Sequence, residues 1–365
     1  MEQDRTDRRE TDEQEAAGEA ASPATAEKRT GRGFMRHMQG RSGALKLGLA
    51  ASSVAMLAGR TASSDSPTAA ASMAGPVSPQ AENTDAKKVS WDLHVTDNDR
   101  VDFFVEFLMG KNYDKTHEWL ERVGKYGPMI QNELRERGMP EDLLYLTMIE
   151  SGLNPNAYSK ADAAGLWQFI EETGERYGLE VSTYVDERRD PVKSTAAALD
   201  YLSKMHNRFG SWYLAAAGYN TGENRVGRLV KERIGVEKAD REDMYWEIWD
   251  QLPRETRDYV PLMLAMGHIA KEPAKYGFRD LEMQQPLQFE EITVDGGTKL
   301  SDVALGAGVN ADVIEDLNPH LVKKITPPGR RYNVRVPVGS SQTVVASLGG
   351  GARTTDITST DVLTE

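Results

Sequence analysis

The stretch "DLLYLTMIESGLNPNAYSKADAAGLWQF", residues 142–169, decides how the chain folds and what it does. Pro140 suits the first turn of a helix, where its missing N–H removes no intrahelical bond. Glu141 and Asp142 follow at the end that favours negative charge. Residues 143–149 (Leu, Leu, Tyr, Leu, Thr, Met, Ile) are apolar almost all round, the pattern of a helix buried on every side. Glu150 lies one turn beyond Leu146 and two beyond Leu143, on their face. Gly152 and Pro155 then end the helix. A carboxyl group in such surroundings resists ionisation, its pKa rises, and it can hand a proton to a leaving oxygen near neutral pH. The alternatives are that Glu150 projects into solvent as the helix ends, or pairs with an arginine inside the core.

Around this segment the helical pattern continues from about 96 to 285, with aromatics at helical spacing and little strand-like alternation. That is enough chain for a single sizeable core. From 286 to 338 the texture changes. "LQFEEITV", a turn at Gly296-Gly297, two short helical runs and "YNVRVPVG" (332–339) predict a βααβ unit. The predicted fold class is therefore mainly α, with a small C-terminal βααβ domain. Residues 339–365 are Gly/Ser/Thr-rich and read as a disordered tail, and 61–95, rich in Ser, Ala and Pro, as a linker.

The N-terminus reads as an address. Residues 1–34 are charged and poor in large apolar side chains, hence disordered, or an overextended start if translation begins at Met35 or Met38. Residues 35–60 join a basic start to a short apolar run, which suits a signal peptide or signal anchor better than a membrane span of about 20 apolar residues. The expected location is the periplasm or cell envelope, with membrane association through that segment. "LAGR" at 57–60 is similar to a bacterial lipoprotein signal with Arg60 where the cysteine belongs, so a lipid anchor is not expected.

Composition excludes several functions. The 365 residues carry a formal net charge of −13 and no cysteine. An acidic chain is poorly suited to nucleic acid. Zero cysteine removes disulfides and thiolate chemistry, and the six scattered histidines lack the spacing of a zinc helix. No metal and no cofactor is expected, and the chain is expected to act as a monomer.

Three further motifs carry aromatics, amides and hydroxyls suited to sugar recognition: "AAGLWQF" (163–169), "AAGYNTG" (216–222) and "LPRETRDYVP" (252–261). Taken in order with Glu150-Ser151, they resemble the motifs of the family 1 lytic transglycosylases, in particular the membrane-bound D type. The resemblance covers about 190 residues. It implies a goose-lysozyme-like helical domain acting on the glycan strands of peptidoglycan. By the same resemblance Glu150 is the catalytic acid/base. Ser151, Ser159, Trp167, Gln168, Tyr219, Asn220 and Tyr259 are implied to contact substrate, Trp167 from a slot that varies between branches. Gly218 stands where the family more often has alanine. The segment "DGGTKLSDVALGAGVNADVIEDLNPHL" (295–321) resembles a LysM glycan-binding module, with Gly-Gly-Thr in place of the usual Gly-Asp-Thr, so a module kept only for packing is the competing reading.

Most glycosidases use two carboxylates. Here Glu171 and Glu172 read as the solvated start of another helix, and Asp186 and Asp190 as ion-pair partners in an arginine-rich turn. A lone acid is coherent if the substrate supplies the nucleophiles: the 2-acetamido carbonyl, then the C6 hydroxyl, closing a 1,6-anhydro ring on N-acetylmuramic acid. The alternatives are a lysozyme-like hydrolase in which water attacks, and a non-catalytic wall-binding protein.

Overall fold

The structure is a computed structural model that describes residues 89–235, 238 and 241–358. The expectations for residues 1–34 and 35–60, and for the linker up to residue 88, lie outside the described residues.

The helical body starts with α1 (Asp99–Met109) and the long α2 (Tyr113–Glu136). A single 3-10 turn, Glu141–Leu143, leads into α3 (Leu144–Ser151). An irregular loop crosses to α4 (Glu171–Arg176), and then come α5 (Pro191–Phe209), α6 (Trp212–Thr221), α7 (Glu223–Ile234), α8 (Met244–Ile248) and α9 (Arg254–Lys271). The expected helix at 140–150 is thus an α-helix with a tighter first turn.

Helix α9 lies at the centre and packs against α1, α3 and α6. Small residues allow this. Ala215, Ala216 and Ala217 on α6 are fully buried. Gly267 on α9 meets Trp91 and Tyr145 so closely that a Cβ there would stand 2.4 Å from the Trp91 ring. Every side chain from Leu144 to Glu150 is buried, as the all-round apolar pattern predicts. Two residues of the expected linker belong to this core: Leu93 is buried and Trp91 packs against it. Burying two large side chains outweighs the polar composition of the surrounding segment.

After α9 an extended strap runs back across α2, with backbone bonds from Gln284 N–H to Glu121 O and from Leu287 N–H to Lys125 O. It delivers the chain to β1 (Glu290–Val294), α10 (Leu300–Ala307), α11 (Ala311–Leu317) and β2 (Tyr332–Val336), which realise the expected βααβ unit. The unit does not stop there. Residues 341–348 form α12 (Ser341–Leu348), and β3 (Ala352–Thr358) pairs antiparallel with β1, giving the sheet order β2-β1-β3. The reading of 339–365 as a disordered tail is corrected over 341–358. Val344 packs into the small core, and a Thr-rich strand suits the pleated edge beside β1.

Candidate active site

The acid sits where the sequence puts it, at the end of α3. Gly152 closes that helix in the left-handed conformation (φ 61°), and no other residue fits there: an added Cβ would stand 2.0 Å from the Trp119 indole nitrogen. This tight exit turns the chain away while Glu150 stays against the core, 8% exposed.

Glu150 opens onto a cleft of about 630 Å3. Behind it the Tyr259 hydroxyl of α9 donates to Glu150 Oε1 at 2.6 Å. Burial pushes the Glu150 carboxyl up, the Tyr259 hydrogen bond pulls it down, and the charge of Glu255 pushes it up again, leaving its pKa at about 7. Burial and the adjacent Glu150 hold the Tyr259 phenol far above its ordinary value, so it remains a donor. The group can therefore both give and take a proton near neutral pH. Glu255 lies in the motif 252–261, but a helix-face reading does not show that its charge reaches Glu150.

The other carboxylate lining the cleft among the described residues is Glu118, and it is ion-paired with Arg122 one turn along α2. Arg122 also donates to Gly152 O at 3.0 Å, tying α2 to the end of α3. Lys115 and Lys160 line the cleft as well, and both are exposed. With Glu150 protonated and Glu118 matched by Arg122, the cleft carries an excess of positive charge in a chain whose net charge is −13.

The predicted site residues divide into two layers. Ser151, Ser159 and Gln168 line the cleft with Glu150. Ser151 donates to Leu166 O at 2.8 Å, which pins the loop to the end of α3. Ser159 Oγ accepts the Ala161 and Ala163 N–H groups, at 3.2 and 3.0 Å. Gln168 holds a left-handed backbone (φ 49°), and its amide nitrogen donates to Gly165 O at 2.8 Å. Its Oε1 is buried without a hydrogen-bond partner in the protein.

Trp167, Tyr219, Asn220 and Tyr259 form the layer behind, and none of them lines the cleft. Trp167 is corrected outright as a substrate contact: it is fully buried and its indole N–H donates to Thr195 Oγ1 at 2.9 Å. An aromatic with no exposed face cannot stack on a sugar. The Tyr219 hydroxyl donates to Trp167 O at 2.7 Å, and Asn220 Oδ1 accepts from Thr256 at 2.8 Å. Tyr219 and Asn220 are thus committed to protein partners, except for the buried Asn220 Nδ2, which has none. Tyr259 thus stands beside the acid, as the resemblance implies, while Tyr219 and Asn220 lie in the layer behind it.

The structure adds Trp119, which lines the cleft, and Tyr158, which lines it too and is 54% exposed. Tyr158 lies within the quoted segment, but as a single aromatic in a loop it carries no periodic signal. The four acids considered as second carboxylates fall as expected. Glu171 and Glu172 are exposed at the start of α4, Asp186 pairs with Arg188, and Asp190 pairs with Arg335. Among the described residues no three His, Asp or Glu side chains cluster as metal ligands do.

Comparison with known proteins matches two parts of the chain to described families. The family described as Transglycosylase SLT domain matches residues 127–241, and the family described as Lytic transglycosylase MltD, LysM-like domain matches residues 288–350. Membrane-bound lytic murein transglycosylase D of Escherichia coli (strain K12) is 31% identical over 261 residues, 71% of this chain and 56% of that protein. Membrane-bound lytic murein transglycosylase C of Photorhabdus laumondii is 30% identical over 160 residues, 38% of this chain and 45% of that protein. The chain thus spans about half the length of these relatives. A solved structure of the lytic transglycosylase Slt of Pseudomonas aeruginosa, an inactive mutant, is 26% identical over 43% of this chain and 25% of its own, with a TM-score of 0.32, too low to bear on the fold.

Proposed function

Because this chain carries a transglycosylase SLT domain followed by an MltD-type LysM-like domain, we propose that it is a peptidoglycan lytic transglycosylase of the cell envelope. The observation that carries the reading is Glu150: a buried carboxyl with a pKa of about 7 on the wall of an open cleft, held by the phenol of Tyr259.

Protonated Glu150 donates to the oxygen joining C1 of N-acetylmuramic acid to N-acetylglucosamine. That C1–O bond breaks, and the 2-acetamido carbonyl stabilises the developing positive charge at C1. The now ionised Glu150 then takes the proton of the C6 hydroxyl, whose oxygen bonds to C1 and closes the 1,6-anhydro ring. The proton returns to Glu150 and no water is consumed. Tyr259 holds one carboxyl oxygen through both steps and favours the ionised form between them. Ser151, Ser159 and Gln168 face the substrate and position it. Lys115 and Lys160 suit the carboxylates of muramyl residues and their stem peptides. A single acid suffices because the attacking groups belong to the sugar, and Glu118, the other carboxylate on the cleft wall, is ion-paired with Arg122.

The test is mass spectrometry of the muropeptides released from purified sacculi. The proposal expects products ending in the anhydro sugar, one water lighter than hydrolytic ends. Reducing ends formed with water from the solvent would assign a lysozyme-like hydrolase instead, and no release at all would leave a wall-binding protein.

A further inference from the structure

The helical body and the LysM-like domain meet in a joint that holds a second recess of about 270 Å3. Its walls come from both parts: Asn156 and Arg189 on one side, Pro319, Val322 and Lys324 on the other. This recess adjoins the Glu150 cleft, because Asn156 runs directly into Ala157 and Tyr158, which line that cleft. The ring of Tyr158 stands on the divide. Its hydroxyl donates to Asp162 Oδ1 at 3.1 Å, and the Arg189 guanidinium lies 5.5 Å from its centroid, which fixes the ring while leaving more than half of the residue exposed.

The two walls are held at a fixed distance. Asp186 N–H donates to His320 O at 2.8 Å, and Val322 N–H donates to Tyr184 O at 3.1 Å, so the backbones are joined directly. Val185 is buried in the small core of the LysM-like domain. Asp190 caps α5 through the N–H groups of Val192 and Lys193 and accepts from Arg335 of β2 at 2.9 Å, both side chains being buried. A tethered module offers its surface at a changing distance and pays separately for each docking event. A welded one adds its contacts to those of the cleft without a further loss of freedom.

We infer that the Glu150 cleft, the Tyr158 ring and the joint recess form one continuous track for a single glycan strand. This rests on the glycan-cleaving reading above. Sugars beyond the bond to be broken cross the exposed face of Tyr158, where an aromatic ring meets the apolar face of a pyranose. They then enter the recess, where the Asn156 amide, Arg189 and Lys324 offer hydrogen bonds to hydroxyl and acetamido groups. The LysM-like domain on this view is a wall of the substrate site in register with the acid.

The track is read by binding, with the full chain carrying Glu150→Gln. Its affinity is measured for long glycan strands stripped of peptide and for a muramyl tetrasaccharide. The parent is expected to bind the long strands about tenfold or more tightly than the short fragment. Adding Tyr158→Ala on the divide, or Val322→Trp to fill the recess from the LysM-like side, should bring that ratio close to one, and Tyr158→Phe should keep it. A parent that binds both lengths equally, or an unchanged ratio in either disruptive variant, overturns the track. Turnover is not part of this readout, so a wild-type chain that binds strands but releases no product would defeat the catalytic reading alone.

Discussion

Two buried carboxylates, Glu150 and Asp190, lie in the same chain and behave in opposite ways. Glu150 is 8% exposed and Asp190 1%. Burial pushes both upward. Around Glu150 little opposes it beyond one phenol hydrogen bond, and the nearby Glu255 adds to it, so the group titrates at about 7. Around Asp190 the Arg335 guanidinium, His320 and the amides at the start of α5 outweigh the burial, and the carboxyl is held below its ordinary value. Burial alone therefore does not make a general acid. A carboxyl also needs a setting in which no cation offsets the burial, and the Arg335 guanidinium that does so at Asp190 has no counterpart acting on Glu150; this separates the proposed proton donor from the fastener of the joint.

The largest effect that could break this contrast is on turnover. Glu150→Gln keeps the shape of the side chain and removes the transferable proton, so the rate of muropeptide release should fall on the order of 10²–10⁴-fold with folding intact. Full activity in that variant would falsify the assignment. The converse change is at the joint. Arg335→Met leaves Asp190 buried without its main partner and should lower unfolding stability by about 3–5 kcal/mol in denaturant titration. Adding Asp190→Asn should restore part of that loss, since it removes the stranded charge; the amide keeps an acceptor for the α5 cap.

The pH dependence of stability sharpens the contrast, because the two groups pull in opposite directions. Glu150 binds its proton more tightly in the folded chain than in the unfolded one, where the ordinary value is 4.5. Its favourable contribution is complete below pH 4.5 and is lost as the pH rises to about 7. Glu150→Gln should therefore gain on the wild type across that window, by roughly 3 kcal/mol at most. Asp190, with its lowered value, contributes above the ordinary carboxylate range, and that contribution is lost in acid as the pH falls through its folded value. A stability difference between Glu150→Gln and wild type that does not change with pH would contradict the shift.

A smaller effect tests the phenol. Tyr259→Phe removes the one donor to Glu150 Oε1, which stabilises the ionised form. The pH limb governed by Glu150 should move upward, and turnover at neutral pH should fall by about tenfold. A rate loss without any movement of that limb would make Tyr259 a packing residue.

The contrast also explains what could be read from the sequence. Glu150 was legible because a run of seven residues, apolar except for Thr147, and a stop at Gly152 describe its surroundings within a dozen residues. The same locality gave the βααβ unit. Asp190 reads as an ion-pair partner within its own arginine-rich turn, but its partner Arg335 lies 145 residues away, so the joint emerges only when the chain is folded. Trp167 shows the reverse error. The family resemblance implies a substrate contact for Trp167, from a slot that varies between branches, yet its N–H is bonded to Thr195 inside the core, and Tyr158, nine positions earlier, holds the exposed ring. Trp91, Leu93 and the β3 strand were lost to composition, because Ser/Ala/Pro-rich and Gly/Ser/Thr-rich stretches hide the few side chains that pack.

The most direct measurement is an infrared titration of the wild-type chain against Glu150→Gln, following the band of a protonated carboxyl group that the variant lacks. This band is expected to disappear with a midpoint at about pH 7. A midpoint at the ordinary glutamate value of 4.5 would show an acid already ionised at neutral pH, with no proton to give to the glycosidic oxygen.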